Sequence, residues 1–399
     1  MTKIYLDALS KGPTVSVGTQ ALIIASMEII KKSIPDAEFV MLSAYPEYDK
    51  HYLDKESYKV KFVKRDAGIL GAIKGTRSIL EEVDLVVSAW GDGYITTPPY
   101  KIINKTLFFI KRQRPIVLFP SSIGSFSGEL QKALIRLGLR SFDSVMIRDT
   151  VTFNYLKQLK LKNISLVPDT AFILLPSDNM RVNEILNIEK APKCDTYIGI
   201  NVSNLLLNLY KEKLCQDYAL FIAKMIDYLT SKFNKHILLI PHQINFLRNV
   251  NTEHADFASY HGDDRYAVSK IMECIKNTNL VTPLMGDYSC RDYKGIINRC
   301  ELFIGGRMHT VIAAISQAVP SVLMQYSHKA TGVMDLVGLQ SYVWDFQSPH
   351  EELYSLINNV WCDRQVLHSS LSVKMIEIKK QVWGAGEILK EIIGRHRIK

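Results

Sequence analysis

The chain has 399 residues, a net charge of +9 and an apolar fraction of 47%. That is enough chain for about two ordinary domains, and the ordinary charged fraction gives no indication of disorder. The basic balance suits acidic substrates or an anionic membrane surface; without zinc-finger spacing, an RNP-like motif or a dense basic arm, nucleic acid is not an expected partner.

From the start of the chain, Met1-Thr-Lys-Ile-Tyr-Leu-Asp7 has too brief an apolar run for a signal peptide. Apolar runs then predict strands near residues 38–42, 59–63, 84–88, 115–119 and 144–147, with amphipathic helices at 21–32 and 128–139. A polar stretch bearing Pro176 and Pro192 follows. The cycle resumes with strands at 197–202, 236–241, 280–282, 302–305 and 321–325 and helices at 211–232, 264–276 and 293–299. Such alternation means parallel sheets covered by helices on both faces. The fold class is therefore α/β, with two Rossmann-like doubly wound domains facing a cleft.

The boundaries are 1–175 for the first domain, 176–194 for a linker and 195–369 for the second. Residues 370–399 read as one C-terminal helix, weakened at Gly384 and Gly386, that packs back on the first domain. Six scattered cysteines without C-x-x-C indicate a reduced, cytoplasmic protein. No apolar span of about 18 residues predicts a transmembrane helix. Peripheral docking at the inner membrane face is compatible with the charge.

The densest chemistry lies at Gly305-Gly-Arg-Met-His309, between an apolar run and a helical pattern. It places Arg307 and His309 at a helix N-terminus, where free N–H groups already favour anions. Arg307 could clamp a phosphate or carboxylate, and His309 could donate a proton near neutral pH. Arg148 also ends a strand, in Ile147-Arg-Asp149, where it could pair with a neighbouring acid or hold the far end of the anion. Asp149 and Thr150 can cap the helix that follows.

Gly91-Asp92-Gly93 is a plain turn or a close approach to ligand, with Asp92 able to orient or deprotonate an acceptor hydroxyl. Ser121 and Ser122 offer hydroxyls at another strand exit. His242 in Ile240-Pro-His-Gln243 is a further acceptor contact, and Lys329 in Tyr326-Ser-His-Lys329 adds positive charge. The ten histidines show no metal spacing with cysteine or acid, so no metal is expected.

These residues resemble the polysaccharide pyruvyl transferase family over most of the chain. The likeness is most specific at Gly305-Gly-Arg-Met-His309, Ala318-Val-Pro320 and Tyr326-Ser-His-Lys329, and extends to Ile147-Arg-Asp149 and Pro168-Asp-Thr-Ala-Phe172. The family's Asn-x-Gly-Asp segment is replaced by Ser16-Val-Gly-Thr19, with Thr19 at the acidic position.

The resemblance implies two domains arranged as in GT-B glycosyltransferases. It also implies transfer of a pyruvyl group from phosphoenolpyruvate, as donor substrate rather than cofactor, to sugar hydroxyls as a ketal. The donor site then comprises Arg148, Arg307, Met308, His309 and Lys329, with His309 and Arg307 catalytic. The acceptor site comprises Gly91, Asp92, Ser121, Ser122, His242 and Tyr326. The acceptor is a saccharide, with a lipid-linked form admitted. Competing readings are a GT-B glycosyltransferase using a nucleotide sugar and a non-catalytic scaffold of polysaccharide assembly. No clear Glu stands where the former would grip a ribose.

Overall fold

The computed structural model describes residues 1–8, 16–53, 58–66, 68–95, 114–124, 126–214, 216–244, 262–326 and 329–397. The chain forms two compact units. Unit 1 is Met1–Thr14, Thr19–Ile173 and Ile378–Lys399; unit 2 is Val15–Gly18 and Leu174–Glu377. Each is a parallel α/β domain of the Rossmann type.

In chain order, the elements up to Leu166 are β1 (Thr2–Asp7), α1 (Val17–Ser33), β2 (Ala37–Ser43), α2 (Pro46–Leu53), β3 (Val60–Lys64), α3 (Gly68–Glu82), β4 (Leu85–Ser88), β5 (Ile116–Ser121), α4 (Glu129–Arg140), β6 (Ser144–Ile147), α5 (Thr150–Gln158) and β7 (Ile164–Leu166). The first sheet has the order β3-β2-β1-β4-β5-β6-β7, with every neighbouring pair parallel. Its central strands are buried throughout. That is why they read as continuous apolar runs rather than alternating ones. The edge strand β3 instead exposes Lys61 and Lys64, charges that discourage further strand pairing.

The remaining elements are α6 (Asn179–Ile188), β8 (Tyr197–Asn201), α7 (Asn204–Leu209), α8 (Tyr218–Phe233), β9 (Ile237–Ile240), α9 (Arg265–Cys274), β10 (Val281–Pro283), α10 (Cys290–Ile297), β11 (Cys300–Gly305), α11 (Met308–Ile315), β12 (Ser321–Gln325), α12 (Lys329–Leu336), β13 (Val343–Asp345) and α13 (His350–Arg397). The second sheet runs β10-β9-β8-β11-β12-β13, again all parallel. Ile198, Ile200, Leu302, Ile304 and Val322 form the centre of its core with Phe221, Ile222 and Ile226 of α8. In both sheets strand order reverses beside the first strand: between β1 and β4, and between β8 and β11. The carboxyl ends at such a reversal are where doubly wound sheets bind ligands.

Several elements differ from the sequence reading. The stretch 176–194 contains helix α6, capped by Asp178 accepting from the Arg181 amide at 2.8 Å. Its Val182 and Ile185 are buried, so this segment is part of unit 2 rather than a free linker. The helix expected over 211–232 is interrupted: a π turn at Tyr210–Leu214 follows α7, and α8 starts afresh with Asp217 capping the Leu220 amide at 3.1 Å. The C-terminal helix begins at His350, not 370, just after Pro349, a residue suited to helix entry.

Helix α13 also runs unbroken through Gly384 and Gly386. A side chain on Gly386 would meet Ser33 Oγ at 1.9 Å. The glycine therefore permits close helix packing on α1 rather than breaking the helix. Lys32 lies 4.1 Å above the Trp383 ring in the same contact. Among the described residues no helix is long and apolar enough to cross a membrane.

Candidate active site

In unit 2, β11 delivers Gly305 to the strand-order reversal, opposite Asn201 at the end of β8. A Cβ on Gly305 would meet Val311 at 2.4 Å, and one on Gly306 would meet Leu206 at 2.6 Å. The glycine pair thus lets the turn pass between α11 and α7. Arg307 is the N-cap residue of α11, with extended backbone and no side-chain cap bond. Its carbonyl instead receives the Thr310 amide at 3.1 Å and the Thr310 hydroxyl at 2.7 Å. The amides of Met308 and His309 are the first of α11.

Arg307 Nη2 donates to Gln243 Oε1 at 3.3 Å and lies 3.8 Å from Asp264 Oδ1. Its Nε–H is buried with no acceptor among the described residues. A buried donor without a partner costs roughly 1–3 kcal/mol, and an anionic ligand oxygen would remove that cost. Asn201 Oδ1 and His242 Nδ1 are likewise buried without partners among the described residues. Three unsatisfied polar atoms around one strand reversal mark a site shaped for a polar ligand.

The His242 and His309 rings lie 6.3 Å apart and nearly parallel, at 4°. Burial, then the charges of Arg307 and His309, hold the His242 pKa well below the ordinary imidazole range. His242 is therefore neutral at pH 7 and offers a lone pair. Its Nε2 is 3.4 Å from Ser16 Oγ, its carbonyl accepts the Val17 amide at 3.0 Å, and Ser16 bridges Gln243 in antiparallel fashion. Gly18 faces His309: a Cβ there would sit 2.6 Å from His309 Cγ.

That contact carries a prediction. Gly18→Ala forces the base of the imidazole, not a flexible tip, to move. Misplacing a reacting group by about 1 Å can cost on the order of 10²-fold in rate. Gly18→Ala is expected to lose at least about tenfold in kcat with an unchanged circular dichroism spectrum. A variant with wild-type kcat would show that the Gly18 contact does not set the His309 position.

In unit 1, Arg148 ends β6 and is fully enclosed. Its Nη1 donates to Asp169 at 2.6 Å and its Nε to Ser122 Oγ at 3.0 Å, and its Nη2 pairs with Asp92. Gly91 has φ +56°, and a Cβ there would meet Leu22 at 2.8 Å and Arg148 Nη1 at 3.3 Å. Gly91, Asp92, Ser122 and Arg148 are thus brought together, with Asp169 completing the group. In this arrangement Arg148 ties strand exits of unit 1 to one another rather than presenting an open guanidinium. Asp149 caps α5 by accepting the Thr152 amide at 2.7 Å. The Ser121 hydroxyl is buried without a partner among the described residues.

The other expected site residues are placed as follows. Tyr326 follows β12, half-buried against the unit 2 core. Lys329 begins α12, and its side chain lies outside the described residues. Sequence reading missed Asp264, Gln243, Asn201, Ser16 and Gly18 as site members. Gln243 and Asn201 stand at strand exits, a signal that was available. Ser16 and Gly18 meet histidines more than 220 positions away, which no local spacing shows.

A family model described as polysaccharide pyruvyl transferase matches residues 18–328. The chain belongs to that family. The match opens at Gly18, which packs on His309, and encloses the whole glycine turn. The amylovoran biosynthesis protein AmsJ of Erwinia amylovora is 20% identical over 275 residues, which are 67% of this chain. The chain spans 63% of the length of that curated relative.

Solved structures share the fold. UDP-GlcNAc 2-epimerase from Neisseria meningitidis, bound to UDP-GlcNAc, superposes with a TM-score of 0.64 at 11% identity, covering 99% of this chain and 100% of that one. Anabaena Alr3699/HepE in complex with UDP gives 0.60 at 14% identity, covering 99% and 100%. At such identities the likeness is one of architecture, that of GT-B-type enzymes. The family member described here therefore has the two Rossmann-like domains expected from its sequence.

Proposed function

We propose that this chain transfers the pyruvyl group of phosphoenolpyruvate to two hydroxyls of a saccharide, releasing phosphate and forming a ketal. The observation that carries the reading is the Arg307 side chain, whose buried Nε–H lacks an acceptor among the described residues, at the N-cap of α11. A carboxylate or phosphate oxygen completes that donor, and the Met308 and His309 amides add to the field. The family membership and the polysaccharide-related relative support the same reading.

His309, at the second position of α11, protonates the methylene carbon C3, making a methyl group and leaving C2 electrophilic. A sugar hydroxyl adds to C2 and gives its proton to neutral His242. The C2–O bond to phosphate then breaks, its electron pair leaving with phosphate, which takes up the proton released by the hydroxyl. The second hydroxyl adds to C2, closing the ketal, and its proton restores His309. One hydroxyl proton thus ends on the methyl group and one on phosphate.

The test is incubation with phosphoenolpyruvate and a panel of lipid-linked and nitrophenyl glycosides, with UDP sugars as alternative donors. Phosphate release together with a pyruvyl mass gain in the glycoside is expected. Sugar transfer from a UDP sugar, or no turnover of any donor by a protein that binds glycosides, would replace this reading with a glycosyltransferase or a scaffold.

A further inference from the structure

Asp264 is 1% exposed and sits ahead of α9. It occupies the N-cap position, yet its carboxylate makes no cap bond to its own helix. An aspartate at that position ordinarily accepts from the second or third helical amide. Here both oxygens point elsewhere. Oδ1 accepts the Asn204 amide at 2.8 Å, beyond the end of β8. Oδ2 accepts the Gln243 amide at 2.8 Å and the His242 amide at 3.2 Å, beyond the end of β9. The Asp264 amide returns a bond to the Gln243 carbonyl at 2.8 Å. Three donors on two oxygens match a carboxylate, which accepts only. Arg307 Nη2 stands 3.8 Å from Oδ1.

We propose that Asp264 is the positioning residue of this site. One buried carboxylate fastens the two strand exits that carry Asn204, His242 and Gln243, and supplies the counter-charge that aims Arg307. It fixes Arg307 by charge directly, and again through Gln243, whose side chain holds the same Nη2. Asp264 does not touch the donor; it sets where the guanidinium waits. This rests on the reading of Arg307 as the anion clamp.

The experiment compares Asp264→Asn, Arg307→Ala and the double variant by calorimetric binding of phosphoenolpyruvate and by the Arg307 Nε–H resonance in ligand-free, nitrogen-15-labelled protein. Asp264→Asn keeps the shape and one acceptor oxygen, so the unit should fold. Phosphoenolpyruvate binding is expected to weaken at least about tenfold in Asp264→Asn, and the double variant to be no weaker than Arg307→Ala alone, because coupled residues are non-additive. The Arg307 Nε–H signal should broaden or exchange faster, while that of Arg148 in unit 1 stays as it was.

In steady state, the KM for phosphoenolpyruvate should rise while the KM for the acceptor does not, a split that general loosening would not give. Full additivity of the two substitutions, or an unchanged Arg307 signal, would overturn the proposal. If the wild type binds no phosphoenolpyruvate, the donor reading fails, and the resonance comparison still decides the role of Asp264. Should Asp264→Asn not fold, Asp264→Glu, which keeps the charge but displaces it by one methylene, is read in the same way.

Discussion

His309→Gln is expected to bind phosphoenolpyruvate nearly as the wild type does and to slow single turnover by on the order of 10²–10⁴-fold. Glutamine fills the space beside Gly18 and keeps a hydrogen-bonding group, but it has no proton to give at neutral pH. Arg307→Ala should show the opposite pattern, with binding lost before chemistry is reached, because the guanidinium meets the anion in ground state and transition state alike. Arg307→Lys should recover little, since an ammonium has no planar fork to reproduce the Nε–H contact. Calorimetry beside rapid-quench kinetics separates the two variants. Turnover by His309→Gln near the wild-type rate would remove His309 as the acid and transfer that role to another proton donor.

The second large effect is on stability. Arg148→Met should destabilise unit 1 by about 3–5 kcal/mol, the cost of removing one partner from a buried ion pair. Asp169 is 0% exposed and would be left buried without the guanidinium 2.6 Å away. Removing both charges, as Arg148→Met with Asp169→Leu, should cost less than the single substitution. Scanning calorimetry decides the matter. An Arg148→Met protein with wild-type melting would show that the buried ties are dispensable.

The parts of the molecule legible in the sequence were those encoded locally. Val86, Val117 and Val145 lie in runs buried on both faces, and such runs announce parallel strands wherever they occur. The turn Gly305-Gly306-Arg307 was legible for the same reason: strand, glycines, cation and helix follow within a dozen residues. Strand β1 was overlooked because Thr2 and Lys3 shorten its apolar run, although Ile4 and Leu6 are wholly buried. In the sequence Asp264 is only the first residue of the helix expected over 264–276, and only the fold shows its carboxylate facing Asn204 and Gln243. Gly386 read as a weak point in a helix because sequence carries helix propensity but not the approach of Ser33.

The division of the chain into units also has a consequence for its synthesis. Unit 2 includes Val15–Gly18, and unit 1 includes Ile378–Lys399. A ribosome working from the amino end therefore releases Ser16 and Gly18 long before the histidines they meet, and delivers the helical cover of Ile29 and Ser33 only once residues 378–397 are made. A chain cut at residue 377 would therefore leave Ile29 and Ser33 of α1 without the Gly386 face of α13.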